Sequence, residues 1–141
     1  AIRLPASVLA AARLAGHCAL DRVHGNTLTR GVATTIRSGH PFTTGGWVVD
    51  GGGTAPAQFR LLLRGDSEAY GFQARTGVPR PDVARVLKAS DAVRSGFNIT
   101  VYPDDVPAGT YRMMSLVDRG AAGTEICDMQ RQLLVGPGHA P

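Results

Sequence analysis

Four histidines, two cysteines and one pair of adjacent acids are the side chains of this chain best suited to chemistry. Nucleophilic catalysis needs a nucleophile, a base within reach and a group that orients the base. His17, His24, His40 and His139 could supply the base, and His24 and His40 could meet in space, but no serine stands in a Gly-x-Ser-x-Gly elbow. Asp104 and Asp105 lie between Pro103 and Pro107, where paired acids form turns more readily than an acid–base couple. The run Gly51-Gly52-Gly53 lacks the lysine of a phosphate loop and reads as a flexible hairpin tip. The sequence therefore assigns no catalytic residue, no metal ligand set and no cofactor, and a hydrolase-type enzyme is the least favoured reading.

Cys18 and Cys127 sit near opposite ends of the chain, each in a short run that alternates apolar and polar residues. In a cytosolic protein they read as two buried thiols; in a secreted one they form a disulfide joining the first core strand to the last. Zinc is disfavoured, because His17 adjoins Cys18 without a Cys-x-x-Cys or His-x-x-x-His partner. The disulfide is the expectation carried forward.

Two groups of residues suggest recognition. Arg64-Gly65-Asp66, followed by Ser67, falls between two strand-like runs and reads as a hairpin tip, the presentation that integrin-type adhesion requires. Its parts also have local roles, with Arg64 a strand-end charge and Gly65-Asp66 the turn itself. Tyr70, Phe72 and Tyr102 are candidate rings for a glycan platform, although aromatic residues make up only 6% of the chain and Trp47, the single tryptophan, reads as core.

The elements that must position these residues are mostly strands. Apolar and polar residues alternate after Gly16, and turn signals recur about every 8–12 residues, as in a sandwich or barrel. Strands are predicted over 17–24, 28–36, 42–50, 57–64, 68–74, 96–102, 109–118 and 124–135. In the fourth, Phe59, Leu61 and Leu63 share one face and Gln58, Arg60 and Arg64 the other. Residues 79–88 read as a short helix with Pro81 and Asp82 in its first turn and Val83, Val86 and Leu87 on one face. Arg80 and Asp82 could cap it or pair with each other. Residues 1–15 form an alanine-rich N-terminal segment, helical or irregular; 16–137 the sandwich; 138–141 a C-terminal tail.

Composition bounds the partners. The chain has 141 residues, enough for one domain with a real core, and its net charge of +4 rests on fourteen arginines and one lysine. The arginines are scattered, without a basic run or interleaved aromatic stack, so nucleic acid is not an expected partner. No apolar stretch approaches the roughly 20 residues of a membrane-spanning helix. The chain begins at Ala1, as a mature secreted protein or a trimmed one would.

Several motifs taken in order carry a resemblance: Gly16-His17-Cys18-Ala19-Leu20-Asp21, Gly46-Trp47-Val48-Val49-Asp50, Arg80-Pro81-Asp82-Val83-Ala84, Ser95-Gly96-Phe97, Gly109-Thr110-Tyr111 and Cys127. This series, over about residues 16–135, resembles a module of bacterial secreted and envelope-associated proteins. The resemblance implies an immunoglobulin-like antiparallel β-sandwich outside the cytoplasm, and it carries over no catalytic residue. The resulting expectation is an all-β, noncatalytic secreted or periplasmic module. Its partner is unknown, with a glycan, the cell envelope or a host protein as candidates; the alternative is a host-facing, antigenic surface protein displaying Arg64-Gly65-Asp66.

Overall fold

Leucines on both faces of one strand explain the layering of this molecule. In β7 (Gln58–Arg64), Phe59, Leu61 and Leu63 enter the main core, while Leu62 is equally buried on the opposite face. A sheet bearing such a strand must be covered on both sides. The computed structural model describes residues 1–24, 26–27 and 34–137, and in it both covers are visible.

The larger sheet runs in the order β1 (Ile2–Pro5), β8 (Glu68–Arg75), β7, β10 (Gly109–Asp118), β11 (Thr124–Gly136), β2 (Arg13–Leu14). β5 (Thr34–Arg37) pairs in parallel with the far end of β11. The smaller sheet is β4 (Asn26–Thr27), β3 (His17–Val23), β6 (Phe42–Val49), β9 (Gly96–Val101), all antiparallel. The inner faces enclose one cluster that includes Leu20, Phe42, Phe59, Leu61, Leu63, Phe97, Met113 and Leu133. Phe59 and Phe97 meet edge to face across the sheets, with centroids 5.0 Å apart. The all-β sandwich expected from the alternation is therefore the fold.

Two ladder irregularities aim side chains. Between Leu20 and Arg22 the β3–β6 register slips by one residue, so Asp21 is the extra residue of a bulge and both Leu20 and Val23 reach the core. In β11 the register slips between the partners of Met113 and Met114; Asp128 Oδ1 accepts the Gln130 N–H (2.7 Å), Gln130 adopts a φ of +57°, and Met129 turns into the core.

Four expectations need correction. Residues 1–15 are no separate segment: β1 adds an edge strand to β8, helix α1 (Ala6–Ala10) crosses the sheet, and β2 pairs with β11. Leu4 and Leu9 thereby cover Leu62, Ala69, Met114, Leu116 and Ile126, the second apolar layer that Leu62 requires. Trp47 is not core. β6 is apolar on both faces, Phe42 and Val48 point inward, and the half-buried indole packs outward with Val49 against Val83 and Ala92. In α2 (Pro81–Leu87), Val83 is buried and Leu87 packs half-buried beside it, but Val86, expected on the same face, is 77% exposed. The Gly51–Gly53 turn is hydrogen-bonded in place: Asp50 Oδ1 accepts the N–H groups of Gly52 (2.9 Å) and Thr54 (3.1 Å). The expected strand 28–36 is described only at Thr34–Ile36, and residues 28–33, Gly25 and the tail 138–141 with His139 lie outside the described residues.

Candidate functional site

The cysteines come together. Cys18 Sγ on β3 is bonded to Cys127 Sγ on β11, with Cα atoms 6.2 Å apart, so one covalent link crosses from the small sheet to the large. The bond lies beside the main core, against which Cys18 packs.

The three candidate platform rings do not come together. Tyr70 (8% exposed) and Phe72 (9%) point inward from β8 into the core cluster, following the same alternation that buries Ala74. Tyr70 meets Tyr111 edge to face at 6.0 Å, and the Tyr111 hydroxyl donates to the Pro107 carbonyl (2.6 Å). Burial first, then the nearby Glu68 carboxylate, raises the Tyr70 phenol above its ordinary pKa. Tyr102 is 61% exposed, just beyond β9 on the other sheet. Arg64, Gly65 and Asp66 do form the β7–β8 hairpin tip, where the Gly65 N–H donates to the Glu68 carbonyl (2.8 Å) and both charged residues are exposed.

Two charged clusters are built into the frame. Glu125, 1% exposed, accepts the Gly51 N–H (2.8 Å), Arg13 Nη2 (2.8 Å) and Arg119 Nη1 (3.1 Å). Burial by itself pushes its carboxyl up; the Gly51 amide and the two guanidinium groups outweigh that, and the net pKa lies below the ordinary value. This knot ties β2, the β6–β7 turn and the β10–β11 connection to one point. The second cluster centres on Arg80, which donates two parallel bonds to Asp82 (3.0 and 2.9 Å) and a third to Asp21 (2.6 Å). The bulge frees Asp21 for this contact, which holds the start of α2 against β3. The Arg80 guanidinium beside Asp82 lowers that carboxyl to about 2. Arg80 and Asp82 thus pair with each other, one of the two roles open to them in the sequence.

An open groove lies on the outer face of the large sheet, beside α1, with a volume of about 470 Å³. Four neighbouring strands furnish it: Gln73 from β8, Gln58 and Arg60 from β7, Leu116 and Asp118 from β10, and Thr124 from β11, with Val8 of α1 as a rim. Gln73 stands directly across from Arg60, Arg60 across from Leu116, and Asp118 across from Thr124. Planar amide, guanidinium and carboxylate groups are therefore set out at the inter-strand spacing of about 4.8 Å. Asp118 Oδ1 accepts the Gly120 N–H (2.8 Å), which fixes the carboxylate. Arg60 is half-buried and, among the described residues, has no ion pair and no side-chain hydrogen bond.

These groove residues carry no motif. The sequence places Gln58 and Arg60 on the solvent face of their strand, but nothing local brings Gln73, Asp118 and Thr124 beside them, because the strands that join them are set by long-range pairing. Among the described residues no three metal-ligating side chains converge, and no helix is long and apolar enough to cross a membrane. Compared with protein-family models, with curated proteins and with solved structures, the chain matches none.

Proposed function

We propose that the protein is a noncatalytic, extracytoplasmic binding module of immunoglobulin-like type that takes a glycan, such as an envelope polysaccharide, in the groove on the outer face of its large sheet. The observation that carries this reading is Arg60, a half-buried residue of the groove lining whose guanidinium has no partner among the described residues. Its donors stay open to the groove, and a ligand rich in hydroxyl or carboxylate oxygens would engage them. Amides and a carboxylate alongside supply the mixed donors and acceptors that sugar hydroxyls match. The inter-sheet disulfide favours an oxidising compartment. Binding should raise the melting temperature with ligand concentration. In a thermal-shift screen against neutral and acidic oligosaccharides, at least one should stabilise the protein, and Arg60→Ala should weaken its affinity roughly tenfold or more. Absence of any shift, or an affinity untouched by Arg60→Ala, would refute the assignment.

A second reading rests on the exposure of Arg64 and Asp66 at the hairpin tip: a host-facing surface protein engaging an adhesion receptor. Asp66→Glu leaves the turn and charge in place while lengthening the carboxylate arm. Host-cell attachment that survives this change disposes of the adhesion reading.

A further inference from the structure

The open edge of β9 is a self-complementary seam, and we infer that two copies of this chain associate by pairing it antiparallel to itself. The hydrogen-bond alternation identifies which groups are free. The Val48 N–H donates to the Ser95 carbonyl (3.0 Å), so odd-numbered residues of β9 turn towards β6. Gly96 faces the other way and exchanges both of its bonds with Val78 (2.9 and 3.0 Å). Asn98 and Thr100 share the parity of Gly96, and β9 ends the sheet, so their N–H and C=O groups line an edge with no strand beside it among the described residues.

Sandwich edges are ordinarily blunted by charge, proline or a bulge. β9 reads Gly-Phe-Asn-Ile-Thr-Val, with no charge and no proline, and its register with β6 is unbroken over Gly96–Val101. Immediately beyond stands Tyr102, the most exposed aromatic side chain of the described residues. Beside the edge, on the outer face of the small sheet, lies a depression of about 320 Å³ lined by Arg22, Thr43, Asn98 and Thr100. Gly45 forms its floor: the missing side chain lets Arg22 reach across and hydrogen-bond Asn98 Oδ1.

Seam and depression fit each other by symmetry. Val78 occupies the edge at Gly96, so the accessible antiparallel register centres on Thr100, with Thr100 opposite its copy and Asn98 opposite Tyr102. Tyr102 follows the outward alternation of Asn98 and Thr100, so each ring falls beside the other copy's Asn98, over the depression and within reach of the Arg22 guanidinium. The contact is isologous and closes at two copies. Within β9 itself no charged residue faces its copy across the dyad. The seam is short, so the contact belongs to the small, transient class of interfaces.

Analytical ultracentrifugation of the oxidised protein and its variants tests this. The wild type should form a concentration-dependent dimer. Thr100→Lys and Thr100→Glu should each be monomeric, because like charges face each other at the dyad, and an equimolar mixture should regain the dimer. Tyr102→Ala, on an exposed site, should weaken association roughly tenfold at an unchanged melting temperature. A wild type monomeric up to millimolar concentration overturns the proposal. So do Thr100 variants that dimerise like the wild type, or folded charge variants whose mixture stays monomeric.

Discussion

Glu125 shows how a single buried charge can organise distant parts of a chain. Its carboxylate is 1% exposed, yet every strong partner it has comes from another loop or strand end: Gly51, Arg13 and Arg119. Removing Glu125 leaves the Gly51 N–H and the part-buried Arg119 without their acceptor, whereas Arg13, 60% exposed, returns to solvent. Glu125→Ala should lower stability by about 2 kcal/mol at neutral pH, measured by denaturant unfolding. The pH dependence has a definite sign. The carboxyl is more acidic when folded than when unfolded, so its contribution is complete above the ordinary carboxylate pKa and is lost as pH falls through the lowered value. The stability gap between wild type and Glu125→Gln should therefore be widest near neutrality and narrow below about pH 4. A gap that grows in acid would contradict the ion-pair account. Ser95 and Ser115 stand at the other extreme, as fully buried hydroxyls with no hydrogen-bond partner among the described residues. Ser115 lies opposite Cys127 in the β10–β11 ladder, and nothing in its surroundings explains the hydroxyl.

The N-terminal strap is the element whose role is least evident from its composition. Ile2–Pro5 supplies an edge strand at one side of the large sheet, Arg13–Leu14 pairs at the other, and α1 crosses between them. A five-residue helix of Ala-Ser-Val-Leu-Ala is too short to persist in water unaided. Leu9, 6% exposed, holds it by packing into the layer formed with Leu62, Met114 and Ile126. Leu9→Ala should cost about 2–3 kcal/mol and raise amide exchange in residues 2–14, while leaving the main core protected. Uniform loss of protection across both sheets would mean that the strap and body unfold as one unit. The strap also forms the rim of the proposed glycan groove through Val8, so the same substitution should weaken glycan binding more than it alters the hairpin tip.

At the scale of the whole molecule, two sheets share one interior and one covalent link. The Cys18–Cys127 bond spans 109 residues of sequence, which in the chain-entropy description stabilises the fold by about 4–5 kcal/mol through the unfolded state. Guanidinium unfolding with and without reductant should show the midpoint falling, and the denaturant slope rising as the reduced chain expands further when unfolded. An unchanged midpoint would assign the bond no part in stability. Such a link also holds β3 of the small sheet against β11 of the large, the strand that carries Glu125 and borders the groove.

Period-two alternation made Gly96–Val101 legible, because a half-buried strand writes its two faces into the residue order. Gln58–Arg64, Glu68–Arg75 and Gly109–Asp118 were legible as short turn-bounded runs although both their faces are covered. The Gly65-Asp66 turn and the pairing of the two cysteines were legible for the same local or combinatorial reasons. Which face turns inward was not, wherever both faces are apolar: Trp47 and Val49 compete with Phe42 and Val48, and only the second sheet decides between them. The burial of Tyr70 and Phe72, the crossing of the strap, and the meeting of Gln73, Arg60, Asp118 and Thr124 all depend on strand order. Strand order is fixed by pairings between residues far apart in the chain, and no local pattern encodes it.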